Sequence, residues 1–191
     1  MTIPFGLNLT PESFRQFPGG KTILRRLSDV GDIFGDAVEV ARLLRQGNPL
    51  IYEFVDLRQA LPDSRLSFGL TVIQPGEVAG EYYMTRGHFH AQDLDGDELY
   101  LGVSGIGRLQ LQSRQGEGLV MDLKPGGMVY TPQAWAHRTI NVGTEPLVFF
   151  SIWPSSTAYD YEEITRRGGF PRRAVQQNGQ ATWVQNAEFH L

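Results

Sequence analysis

Gly87-His-Phe-His-Ala-Gln-Asp-Leu-Asp-Gly-Asp-Glu-Leu-Tyr-Leu-Gly-Val103 reads as two extended segments joined by a turn. On a strand, residues two apart share a face, so His88 and His90 point the same way. The Asp/Gly-rich centre suits a reversal, after which Glu98 opens the next strand and brings its carboxylate beside the imidazoles. Farther on, Pro132-Gln-Ala-Trp-Ala-His137 supplies a third imidazole. His88, His90, Glu98 and His137 therefore form a candidate site for one divalent ion per chain. Three nitrogens and one carboxylate suit Fe, Mn, Ni or Zn. Such a set leaves coordination positions for a substrate, so the site is expected to be reactive rather than a structural staple. Asp97 is the ligand alternative to Glu98, but adjacent strand residues face opposite ways and only one can serve. Asp93, Asp95 and Asp97 are expected to be solvated, and His190 to lie in an exposed tail.

Outward from this segment, the chain between Leu50 and Trp153 is a series of short β-rich runs. Leu50–Val55, Leu66–Ile73, Glu98–Val103 and Pro146–Trp153 are the clearest. Pro75-Gly76, Ser104-Gly105, Pro125-Gly126-Gly127 and Val142–Glu145 mark turns. This spacing predicts an all-β sandwich or barrel. Before it, Asp36 with Glu39 predicts a capped helix that stops at Gly47, with Val40, Leu43 and Leu44 as its apolar stripe. Lys21–Ser28 reads as an extended arm. After Pro154, a short helix around Tyr161–Arg167 and a strand near Ala181–Val184 are expected. Phe149 and Phe150 are expected in the core, and Trp135 beside the site rather than on substrate.

Composition narrows the chemistry. The chain has 191 residues and no cysteine, which excludes disulfides, thiolate metal sites and cysteine nucleophiles. Its 41% hydrophobic share suits one globular domain spanning 1–191 with an N-terminal extension. No segment is apolar enough for a membrane span, and the start has no secretion signal, so a cytoplasmic protein is expected. A formal charge of −4 argues against nucleic-acid binding. Arg166, Arg167, Arg172 and Arg173 are accordingly read as a solvated or dimer-edge surface.

Two motifs resemble those of the cupin superfamily: His88-x-His90, Glu98 and Gly105, then Gly126, Pro132, His137 and Asn141. The stretches Glu81-Tyr-Tyr-Met-Thr-Arg-Gly-His-Phe-His-Ala91 and Pro132-x-x-Trp-Ala-His-Arg-Thr-x-Asn141 are similar to the cupin-type glucose-6-phosphate isomerases of archaea and some bacteria. Weaker echoes occur at Arg25–Asp29, Asn48–Tyr52 and Gly168–Pro171, so the likeness runs along nearly the whole chain. The resemblance implies an all-β fold, a cupin-type antiparallel β-barrel (jelly-roll) over roughly 50–153, with a few short helices. It also implies a homodimer, for which the extended arm offers an edge. The substrate would be a small sugar phosphate, interconverted between glucose 6-phosphate and fructose 6-phosphate.

Carried over by position, His88, His90, Glu98 and His137 are the ligands. Thr71, Thr85 and Gly87 resemble phosphate contacts, and Tyr100 and Tyr161 fall on the sugar pocket. Arg86 is a further phosphate candidate by its charge. Strand parity places Arg86 with His88 and Thr85 opposite, so a phosphate role for Thr85 requires a bulge. Glu98 is also the candidate proton carrier between C1 and C2 through an enediol, a hydride shift being the other route. Trp153 and Tyr159 stand where the archaeal members tend to have tyrosine and histidine, and the loop before Glu98 is one residue longer. Another metal-dependent sugar-phosphate enzyme, an Fe(II) dioxygenase and a non-catalytic sugar-binding cupin remain alternatives.

Overall fold

The computed structural model describes residues 4–91 and 96–191; Asp93 and Asp95, expected in solvent, lie outside the described residues. After helix α1 (Pro11–Arg15), capped by the Thr10 side chain, comes strand β1 (Lys21–Arg26). Helix α2 (Leu27–Val30) leads through a 3-10 turn into helix α3 (Ala37–Gln46). The expected cap is present: Asp36 accepts from the Glu39 amide at 2.8 Å. Glu39 does not close a capping box, because its carboxylate is taken by Arg42 at 2.6 Å.

Strands β2 (Leu50–Asp56), β3 (Leu66–Ile73), β4 (Glu77–Val78), β5 (Glu81–Tyr82) and β6 (Phe89–His90) follow. Next come β7 (Glu98–Ser104), β8 (Gly107–Ser113), β9 (Gly118–Leu123), β10 (Met128–Thr131), β11 (Trp135–Asn141) and β12 (Leu147–Pro154). The chain closes with β13 (Tyr159–Asp160), helix α4 (Glu162–Arg166), β14 (Arg172–Gln177) and β15 (Gln180–Gln185). The predicted helix near Tyr161 and strand near Ala181 are therefore present.

The pairing corrects the expected all-β jelly-roll. Among the described residues the strands form four antiparallel sheets, ordered β1-β2-β3-β12-β7-β10, β11-β8-β9, β13-β6 and β15-β14-β5-β4, none closed into a barrel. With its helices the architecture is mixed α/β, and among the described residues no closed barrel spans 50–153. The physical reason lies in residues 83–88, which run beside β11 but meet it only at two isolated bridges, Met84 with Ile140 and His88 with His137. Residues 85–87 are irregular between them, so no continuous ladder joins the sheets.

The arm at Lys21–Arg26 is not free: it pairs antiparallel with β2, with a register shift between Arg25 and Arg26, and forms one edge of the six-stranded sheet. The main core sits between that sheet and the three-stranded one, where Ile51 and Ile73 meet Leu109, Ile140 and Leu147, all with no solvent exposure. Strand β11 is buried at six of its seven residues, so both of its faces are covered. One face carries site residues and the other Arg138. Gly105 turns β7 into β8 at φ 78, a conformation that favours glycine, and a Cβ there would sit 2.6 Å from the Pro146 carbonyl. Among the described residues, no helix is long and apolar enough to cross a membrane.

Candidate metal centre

Glu98 begins β7 and His137 lies on β11, so the six-stranded and three-stranded sheets deliver them from opposite sides. His88 is fixed by its bridge to His137, and His90 by pairing of β6 with β13, where it faces Tyr159. The four side chains converge, with one potential ligand atom from each lying within 4.8 Å of all the others. Glu98 Oε2 stands 3.2 Å from both His90 Nε2 and His137 Nε2, yet makes no hydrogen bond with either. Both nitrogens of His88 also lack a partner. Buried polar atoms left unpaired are costly, and a shared cation satisfies them together.

The outer contacts select the tautomers such a cation needs. His137 Nδ1 donates to the Trp135 carbonyl at 3.1 Å, and His90 Nδ1 donates to the Gly96 carbonyl. A carbonyl only accepts, so these nitrogens hold the protons and each Nε2 keeps its lone pair toward Glu98. Burial, then the neighbouring His137, holds His88 well below the usual imidazole range. It stays neutral, as a ligand must. Burial alone would raise Glu98, but the His137 and His90 imidazoles outweigh it and hold the carboxyl below the usual carboxylate range. The cluster is thus able to hold a metal ion.

A cavity of about 270 Å³ opens beside the cluster. Thr71, Thr85, Arg86, Tyr100 and Tyr161 all line it. Gly87 does not; it is buried in the wall of a neighbouring cavity, against the Phe170 ring. The parity reading fails at this point, since Thr85 and Arg86 both reach the cavity from irregular backbone. Thr85 Oγ1 also accepts from the Thr139 amide at 3.0 Å, and Arg86 NH1 pairs with Asp32 Oδ2 at 2.9 Å. Asp97 is exposed and accepts from the Gln133 amide at 3.0 Å, which leaves Glu98 as the inward carboxylate. His190 is exposed, as expected. Phe149 is both core and cavity wall, while Phe150 belongs to a second apolar cluster. In the basic stretch, Arg167 pairs with Glu163 at 2.5 Å and Arg173 with Glu81 at 3.1 Å; Arg166 and Arg172 are exposed.

Several lining residues escaped the sequence reading. Tyr52, Phe54 and Asp56 alternate along β2, Ile23 and Arg25 along β1, and Thr139 follows His137 by two. The period of two was the signal, because each shares a strand face with its partner in the cavity.

The glucose-6-phosphate isomerase (GPI) family profile matches residues 38–190. A glucose-6-phosphate isomerase from Thermococcus kodakarensis is 38% identical, over 96% of this chain and 95% of that protein. One from Pyrococcus furiosus is 37% identical over 96% of this chain and 95% of that protein. One from Thermococcus litoralis is 35% identical over 98% of this chain and 97% of that protein. Among solved structures, the oxalate decarboxylase of Bacillus subtilis aligns at TM-score 0.45 and 22% identity, covering 56% of this chain and 27% of that one. That likeness is too partial to bear on fold or function. Full-length identity, both motifs and the convergent ligand cluster agree: the chain belongs to the archaeal-type glucose-6-phosphate isomerase family of the cupin superfamily.

Proposed function

We propose that this chain is a metal-dependent isomerase that interconverts glucose 6-phosphate and fructose 6-phosphate. The observation that carries the reading is the unpaired His88/His90/Glu98/His137 cluster at the end of a substrate-sized cavity, in a chain aligned end to end with isomerases of that name. These four residues would hold one divalent ion, with Fe, Mn, Ni and Zn as the candidates. Such an ion supplies Lewis acidity toward the oxygens on the two reacting carbons.

The chain's own residues do the rest. Thr71, Thr85 and Arg86 are proposed to receive the phosphate, with Gly87 beside them at the seam between the two cavities. Arg25 adds a second cation at the same wall. Tyr100 and Tyr161 flank the sugar, their rings 5.5 Å from His137 and 5.3 Å from His88. Burial, reinforced by the charge of Glu98, pushes the Tyr100 phenol well above its usual range, so it serves as a neutral hydrogen-bonding group. Glu98 is proposed to take a proton from one carbon of the open-chain sugar and return it to the neighbouring carbon. Solvent deuterium in the product would support that route, and a product without it would favour a hydride shift. We further propose that the protein works in the cytoplasm as a homodimer that uses the open edge of β1.

The test strips the metal and assays conversion of glucose 6-phosphate as each divalent ion is restored. Recovered turnover is expected. No turnover with any ion, together with turnover of another sugar phosphate, would overturn the proposed substrate.

A further inference from the structure

Arg58 follows β2 and lies behind the cavity wall, its guanidinium 5.6 Å from the centre of the Trp153 ring and 5.3 Å from that of Tyr159. Its NH2 donates to the Tyr159 hydroxyl at 2.9 Å and its NH1 to the Thr157 carbonyl at 3.3 Å. The Asp56 carboxylate bonds the Arg58 backbone amide at 2.7 Å, and among the described residues the guanidinium has no ion-pair partner.

A guanidinium cannot accept a hydrogen bond, so the Tyr159 oxygen is the acceptor here. The hydroxyl proton must go elsewhere, and among the described residues it meets no acceptor. Trp153, 1% exposed, also lines the cavity, and its indole N–H is buried without a partner. One stretch of wall thus carries two donors and a cation behind them. Tyr159 adjoins the metal cluster, its ring 4.6 Å from that of His88.

We infer that Tyr159 and Trp153 form a donor pair for a substrate oxygen that gains negative charge during isomerisation, and that Arg58 is the positioning residue that turns the Tyr159 proton inward. The pair presents donors only, although the Asp56 carboxylate also lines the cavity. Such a pair fits a carbonyl or developing oxyanion, whose charge the cation behind it favours. This inference rests on the isomerase reading.

The test is a double-mutant cycle on the metal-loaded chain with glucose 6-phosphate, with metal content and melting temperature measured for every variant. Tyr159→Phe removes the donor and is expected to lower kcat on the order of 100-fold, with KM changing less than about threefold. Arg58→Ala is expected to lower kcat similarly, Arg58→Lys to recover part of the loss, and Arg58→Ala with Tyr159→Phe to be no worse than the worse single variant. Additive losses, a KM-only effect of Tyr159→Phe, or no recovery in Arg58→Lys would overturn the inference while leaving the isomerase reading intact. A wild-type chain that fails to turn over would overturn that reading first. Should Arg58→Ala not fold, Arg58→Lys with Tyr159→Phe completes the cycle.

Discussion

The Nδ1 atom of His137 donates 3.1 Å to the carbonyl oxygen of Trp135, two residues earlier on the same strand. That bond fixes the proton on the outer nitrogen and turns the lone pair of Nε2 toward Glu98, 3.2 Å away. The strand thereby supplies both the ligand and the group that orients it. Since the acceptor is a backbone carbonyl, the ring has little freedom to turn away when the ion is absent.

The first prediction follows from this arrangement. His137→Ala removes one donor from a set of four and is expected to leave only trace metal after dialysis, with activity falling at least about 100-fold. Elemental analysis and turnover on the same sample check it. Full metal content with full activity would remove His137 from the set.

Acid should act in two steps on the metal-free chain. His88 is held well below its ordinary value of 6.5 by burial and by His137. The folded chain therefore binds fewer protons than the unfolded one once pH drops below that value, and stability declines. Glu98 is also held below its ordinary value of 4.5, despite burial, by the facing imidazoles. Its contribution is present above that value and is lost as pH falls toward the folded pKa. Melting temperature is expected to fall below about pH 6.5 and again below about pH 4.5. His88→Gln should flatten the upper step and leave the lower one; an unchanged upper step would assign it elsewhere.

How much of this was legible in the sequence depends on how local the signal was. His88 and His90 announced themselves because a strand period of two puts both on one face. The Asp36 cap needed only three residues to be read. By contrast, whether a sheet closes depends on pairing across distant segments, and nothing local to Met84–His88 reveals that its ladder to β11 is broken. Thr85 was misassigned by parity for the same reason, since parity holds only while backbone stays regular. Arg58 was invisible: it carries no motif, and its partner Tyr159 lies about 100 residues farther along the chain.

Gly87 offers a steric prediction. A Cβ at this position would collide with the buried Phe170 ring. Gly87→Ala is expected to destabilise the fold by about 1–3 kcal/mol, the usual range for overpacking. Pairing it with Phe170→Leu should recover part of the loss. Chemical denaturation of the two variants checks both, and a Gly87→Ala chain as stable as wild type would show that the ring can move aside.

Metal binding should also be visible without any assay of turnover. The four ligands come from three separated stretches of chain, residues 88–90, 98 and 137, so an ion bound there couples elements that only the fold brings together. An unfolded chain cannot present that set, and binding therefore favours the folded state. At a free ion concentration about 100 times the dissociation constant, the gain is about 2.7 kcal/mol. For a chain of 191 residues this corresponds to a rise in melting temperature of about 5–11 °C. Scanning calorimetry of the stripped protein, with and without each divalent ion, measures it. The rise should vanish in His137→Ala. An equal rise in that variant would mean that the ion binds elsewhere, since removing one of four ligands cannot leave the affinity of this cluster untouched.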